Sequence, residues 1–249
     1  MSSINYSIKD SIAVIRFTRA DKLNAVTREM ALSIQAAIDK ALNDASVRVI
    51  MLTGEGRAFS AGQDIAELCV ADPGMGRILS EQYNPIISRI AGSSKPVVAA
   101  VNGVAAGAGA NIALCCDIVV ATKSASFIQA FSKIGLVPDS GGTYFLPRLI
   151  GWQKASAIMM LGDKISAEEA ERIGMIYKYF EDDQFEEAAF KIAKQLAELP
   201  ALALSLTKKA LQSSACNSLS GQLAEEDELQ QQAAAGPGYA ERIRAFMKK

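Results

Sequence analysis

The stretch Val97–Asp117, VVAAVNGVAAGAGANIALCCD, decides how this 249-residue chain is read. Its first five residues form a short, β-branched apolar run closed by Asn102-Gly103, the pattern of a buried strand entering a turn. A helix over residues 111–116 is expected to follow. Gly107 and Gly109 leave the backbone bare where the chain turns into that helix, so a ligand could reach main-chain N–H groups there. A helix start attracts negative charge, because its first N–H groups lack partners and the macrodipole is positive at that end. Alternatively, the two glycines only let the helix pack closely. The pattern is not a dinucleotide site: Ile112 occupies the third glycine position, and no acid follows at the required distance.

Working outward, the bulk properties exclude several functions. The 26 basic and 27 acidic residues balance, which removes the electrostatic footprint of a nucleic-acid binder. No apolar run approaches the ~20 residues that span a bilayer. The N-terminal MSSINYSIKD lacks the basic-then-apolar order of a signal peptide, and the C-terminal Met-Lys-Lys carries no peroxisomal address. A cytoplasmic protein with no membrane or nucleic-acid partner is expected. Cys69, Cys115, Cys116 and Cys216 have no Cys-x-x-Cys spacing and read as reduced core residues. The chain has no histidine, so Ser-His and Cys-His nucleophile pairs and imidazole ligands are absent. Proton transfer therefore falls to carboxylate, lysine, tyrosine or cysteine.

Residues 6–8 and 12–17 alternate about Lys9-Asp10 as a hairpin, and TRADKLNA (residues 18–25) follows as a loop. Thr27 caps a helix running to about residue 45, residues 49–52 form a short buried strand, and AFSAGQDIAEL (residues 58–68) holds a second strand-to-helix junction at Ala61-Gly62-Gln63. Residues 75–90 read as helix and 118–122 as strand. The chain is irregular from Phe127, with a turn at Pro138–Gly142. Ser166–Glu169 forms a capping box, residues 176–180 a last strand, and 185–199 an amphipathic helix. Strands alternating with helices give an α/β core over residues 1–199, and residues 200–249 read as an all-helical appendage suited to packing on a partner subunit.

Three segments together, residues 58–68, 102–117 and 135–147, resemble the crotonase, or enoyl-CoA hydratase and isomerase, superfamily. The likeness spans roughly residues 12–175 and is strongest to the ring-1,2-epoxyphenylacetyl-CoA isomerase and Δ3,Δ2-enoyl-CoA isomerase branches, through AFSKIGLVPDSGGTYFLPR. It implies a spiral of ββα units, a helical C-terminal region that builds a homotrimer or a hexamer of paired trimers, and acyl-CoA thioester substrates. Coenzyme A would then be part of the substrate, and no separate cofactor is expected.

The resemblance also implies roles. The main-chain N–H groups of Gln63 and Ala108 would hold the thioester oxygen as it becomes an enolate, each such donor being worth ~3 to 4 kcal/mol of barrier. The hydratases of the superfamily carry two glutamates at positions that are here Asn111 and Phe131, and neither can act as a carboxylate. Asp139 lies where isomerases place an acidic residue, and one carboxylate can move a proton from C2 to C4 without water. As an isolated Pro-Asp-Ser-Gly it would be an ordinary turn or helix cap. Asn111 either satisfies the backbone, bonds the acyl chain or holds Asp139. Lys22 would meet a CoA phosphate or is an ordinary solvated loop lysine, and Ala61, Asp64 and Ile65 would border the adenine. Phe246 and Lys249 are further contacts suggested by the family's C-terminus. Gly107, Phe131 and Tyr144, with Phe127, suggest a ring-sized acyl pocket, although a packed core explains aromatic residues equally well. The alternatives to isomerisation are hydration of 2-enoyl-CoA and acyl-CoA binding without turnover.

Overall fold

The computed structural model describes residues 3–71 and 74–247; the side chains of residues 69–71 and 246 are outside that description. Two compact units divide the chain at residues 197 and 198.

In the first unit, β1 (Ile4–Lys9) and β2 (Ile12–Phe17) form an antiparallel hairpin. Its two turn residues, Asp10 and Ser11, both have positive φ (49° and 61°), the backbone that matches the twist of a two-residue hairpin. β3 (Val49–Gly54), β5 (Val97–Val101), β7 (Ile118–Thr122) and β10 (Lys178–Phe180) extend β2 in parallel, giving a six-stranded sheet in the order β1-β2-β3-β5-β7-β10. The three-residue strands β4 (Ala58–Ser60), β6 (Val104–Ala106), β8 (Ser126–Ile128) and β9 (Lys164–Ser166) form a second sheet, parallel except for β9. The chain thus repeatedly places one strand in the large sheet, the next in the small sheet, and then a helix, which is the expected spiral of ββα units.

The helices of the first unit are α1 (Arg28–Asn43), α2 (Ile65–Ala71), α3 (Met75–Ile78), α4 (Asn84–Ala91), α5 (Ala108–Leu114), α6 (Gly142–Ile150), α7 (Trp152–Leu161), α8 (Ala167–Arg172) and α9 (Phe185–Glu198). Thr27 caps α1 by accepting from Met30 N–H, and Ser166 caps α8 by accepting from Glu169 N–H. Between α3 and α4 one turn, Leu79–Tyr83, is π-helical. Strand alternation divides the core. Ala13, Ile15, Ile50, Leu52, Ala99 and Val101 face the helices, whereas Val14, Met51, Val98 and Ala100 face Phe185, Ala189 and Ala193 of α9.

Two expectations need correction. The helix after the central strand begins at Ala108, not near residue 111, and β6 comes before it. Three residues are too few for alternation to show, so β6 and β9 leave no pattern in the sequence. Cys115 and Cys116 are buried, as expected, but Cys216 is exposed beyond a helix end; the Cys69 side chain is outside the described residues.

The second unit contains α10 (Ala201–Ser214), α11 (Leu219–Ala235) and α12 (Tyr239–Phe246), and no strand among its described residues. Gln222 donates to Ala210 O at 3.1 Å and Ser213 to Glu225 at 2.8 Å, tying α10 to α11. Among the described residues of the whole chain, no helix is long and apolar enough to cross a membrane.

Candidate active site

The two ends of the central stretch are joined: Val97 N–H donates to the Asp117 carboxylate at 2.7 Å, and Asp117 N–H to Val97 O at 2.9 Å. Inside that loop a single residue, Gly107, links β6 to α5 with φ 52° and ψ −128°, a backbone that only glycine adopts cheaply. Gly107 N–H donates to Ile128 O at 2.8 Å. Ala108 is the first helical residue, so its N–H precedes the first intrahelical hydrogen bond, which Asn111 N–H donates to Gly107 O at 3.1 Å. Gly109 has the other role weighed for it: a Cβ there would lie 2.4 Å from Ser60 O, so its bareness serves packing.

The second junction lies against the first. A Cβ on Gly62 (φ +85°) would come within 2.8 Å of Ala106 O and 3.3 Å of Ala108 N. The Gly62-Gln63 turn is clamped by Val26, whose N–H donates to Gly62 O at 2.7 Å and whose carbonyl accepts from Asp64 N–H at 3.0 Å. Those bonds take the flanking peptide groups to the Val26 side. In such a bridge the intervening Gln63 N–H points the opposite way, and it has no acceptor among the described residues. Among the described residues neither this N–H nor that of Ala108 has an acceptor, so two available amides lie at adjoining turns, an arrangement that suits an oxyanion.

Residues that sequence reasoning missed hold the Gln63 turn. Ser60 Oγ accepts from Gly62 N–H at 3.2 Å and donates to Asn24 O at 2.8 Å. The wholly buried Asn24 donates to Ala58 O at 2.7 Å and Glu55 O at 3.0 Å, pinning TRADKLNA to the turn before β4. Asp64 caps α2 by accepting from Ala66 and Glu67 N–H, and it pairs with Arg19 at 2.9 Å. Burial pushes the Asp64 carboxyl up, but the hydrogen bonds from Arg19, Glu67 and Ala66 outweigh it and hold the group below the ordinary carboxylate range. The N–H groups of Ala61 and Asp64 are both spent internally, leaving Ile65, 55% exposed, as the open apolar contact. Lys22 is exposed on a 3₁₀ turn and has no ion-pair partner among the described residues.

Asp139 stands in a strained entry to α6: Ser140 and Gly141 have φ of 51° and 72°. The Ser140 hydroxyl donates to the Asp139 carboxylate at 2.9 Å. Burial nevertheless raises the Asp139 pKa above the ordinary value, and the hydrogen bonds from Ser140 and from its own backbone only partly offset that. Among the roles open to Asn111, the structure supports the hold on Asp139. Its Nδ2 donates to Asp139 O at 2.8 Å, its Oδ1 accepts from Gln129 at 2.7 Å, and the side chain is wholly buried. Both ends of the amide are thus engaged, and Asn111 ties the Asp139 carbonyl to α5. Phe131 is buried, and its ring edge would be 3.8 Å from a Cβ on Gly107. Tyr144 is half-exposed, with the Arg148 guanidinium 3.7 Å above its ring and Phe145 at its edge. Residues 63, 107, 108, 111, 131 and 139 are thus linked by contacts, while Tyr144 takes its contacts from its own helix. The Phe246 side chain and Lys249 lie outside the described residues. A groove of about 890 Å³, lined by Met51, Ala100, Asp182 and Phe190 among others, lies on the opposite face of the large sheet and includes none of residues 63, 108 and 139.

The enoyl-CoA hydratase/isomerase family description matches residues 7–249. The chain belongs to that family. It is 41% identical to a protein of Rhodobacter capsulatus named probable enoyl-CoA hydratase, over 99% of this chain and 95% of that one. It is 39% identical to the 1,2-epoxyphenylacetyl-CoA isomerase of Escherichia coli K12, over 100% and 97%. Its fold matches a solved enoyl-CoA hydratase subunit from Geobacillus kaustophilus HTA426 with TM-score 0.91 at 35% identity, covering 99% of this chain and 95% of that one. As a member of the enoyl-CoA hydratase/isomerase family, the protein is an enzyme whose substrate class is the acyl-CoA thioester.

Proposed function

We propose that this family member is an acyl-CoA isomerase. It shifts a double bond, or rearranges an epoxyphenylacetyl group, through a thioester enolate held by the N–H groups of Gln63 and Ala108. Asp139 takes the C2 proton and returns it at C4. The observation carrying this reading is that Asp139 is the acid tied through Asn111 to α5, the helix that begins at the Ala108 amide; the family resemblance further implies that Phe131 and Asn111 stand where hydratases carry their water-activating glutamates. An apolar ring over Gly107 favours a proton shuttle over hydration. The CoA moiety enters with the substrate, with Lys22 toward a phosphate and Ala61, Asp64 and Ile65 along the adenine. The helical second unit builds a homotrimer or a pair of trimers, and the enzyme works in the cytoplasm.

Two substrates test the reading: trans-3-hexenoyl-CoA, giving the conjugated 2-enoyl thioester, and 1,2-epoxyphenylacetyl-CoA, giving its ring-expanded isomer. Asp139→Asn is expected to lower the rate on the accepted substrate by ~100 to 10,000-fold. The base acts when ionised, so kcat/KM rises with pH through the Asp139 value, and its acid limb lies above the ordinary carboxylate range. Unchanged activity in Asp139→Asn would assign the base elsewhere. Hydration is the second reading, favoured by the name of the Rhodobacter relative. Substantial 3-hydroxyacyl-CoA from 2-hexenoyl-CoA would support it and displace isomerisation.

A further inference from the structure

Tyr83 is a buried titratable group that this chemistry leaves unused. It ends the π-helical turn Leu79–Tyr83, its side chain is 1% exposed, and its hydroxyl donates to Gln63 Oε1 at 2.8 Å. A π-turn inserts a residue into the helical ladder, is rare, and is frequently found at functional sites. Here the turn is anchored from α1: Gln35 Nε2 donates to Glu81 O at 2.8 Å and Gln82 O at 3.1 Å. The other end of the Gln63 amide reaches only distant acceptors, Asp64 O and the Glu67 carboxylate, both at 3.4 Å. The Tyr83 bond is therefore the short one holding this side chain. Burial, together with the charges of Asp139, Glu67 and Asp64, pushes the Tyr83 pKa far up, so the hydroxyl remains a neutral donor at every working pH.

Resting on the reading of Gln63 N–H as an oxyanion donor, we infer that Tyr83 is a positioning residue: its hydroxyl fixes the Gln63 side chain and thereby aims the Gln63 main-chain N–H at the thioester oxygen. α5 needs no such device, because its whole length is buried. The Gln63 turn opens into an exposed helix start and does need one.

The test reads carbonyl polarisation and turnover separately. Hexanoyl-CoA labelled with ¹³C at the thioester carbonyl is bound to the full-length protein, and the infrared shift of its C=O stretch is measured for wild type, Tyr83→Phe, Gln63→Met and the double variant. Gln63→Met keeps the length of the side chain and its main-chain N–H but loses the acceptor, so it interrogates the bond from the other end if Tyr83→Phe folds poorly. Each single variant is expected to lose part of the shift and about tenfold in kcat on trans-3-hexenoyl-CoA, with KM held within about twofold. The double variant is expected to lose no more than either single one. An unchanged shift and kcat in a folded Tyr83→Phe, or additive losses, would overturn the inference. No shift in wild type would overturn the oxyanion assignment together with it. A full wild-type shift that Tyr83→Phe reduces, without isomerisation of either substrate, would reject only the isomerase reading.

Discussion

The two turns whose amides have no acceptor among the described residues, Gly62-Gln63 and Gly107-Ala108, are held in place by different means. Ala108 opens a helix whose seven residues are all buried, reached through one glycine and seated on Ser60. Its amide is placed by core packing. Gln63 precedes a helix that begins with the exposed Ile65, and its turn is held by hydrogen bonds donated by Val26 and Tyr83 and by one that Ser60 accepts from Gly62. One donor is set by shape and the other by polar tethers. The first should fail with the fold, whereas the second can fail while the fold survives.

The sharpest way to break that distinction is at the contact between the turns. Gly62→Ala puts a Cβ against Ala106 O and Ala108 N at a φ that side chains rarely adopt. Spoiling one donor should cut kcat by ~100 to 1,000-fold, with circular dichroism unchanged. Gly109→Ala drives a methyl into Ser60 O and should cost about 1–3 kcal/mol of stability, read in urea melts, with activity lost only as the protein unfolds. If Gly109→Ala instead left stability intact and abolished turnover, core packing would not be what places Ala108. The smallest effect is expected from Asp64→Ala, which removes a cap and the Arg19 pair, at about 1 kcal/mol. Because the Asp64 carboxyl is depressed in the folded state, its contribution is complete above the unfolded value near ~3.9. It disappears as pH falls through the lower folded value, so wild type and variant should converge in stability in acid.

Sequence made one side of this comparison more legible than the other. The central strand, the turn at Asn102-Gly103, the caps at Thr27 and Ser166, and the hairpin all follow from local rules, and each is present. The amides of Gln63 and Ala108 were reached through motif resemblance, because a backbone N–H leaves no residue type to read. The tethers were invisible for a different reason. Asn24 to Ala58, Ser60 to Asn24 and Tyr83 to Gln63 join residues 20 to 36 positions apart, and they depend on a second sheet of three-residue strands that carries no periodicity. The π-turn that delivers Tyr83 reads in sequence as ordinary helix. Gly109 looked like Gly107 until the Ser60 carbonyl appeared beside it.

The Asn111 carboxamide also bears on how freely this scaffold can change its chemistry. It lies so close to the bare backbone of Gly142 that a methyl there would be 2.4 Å from Nδ2. A glutamate at this position would be one methylene longer, would find no room against that wall, and would release the carbonyl of residue 139. A pair of carboxylates at positions 111 and 131 is therefore not one substitution away: both side chains and the wall at 142 would have to change together.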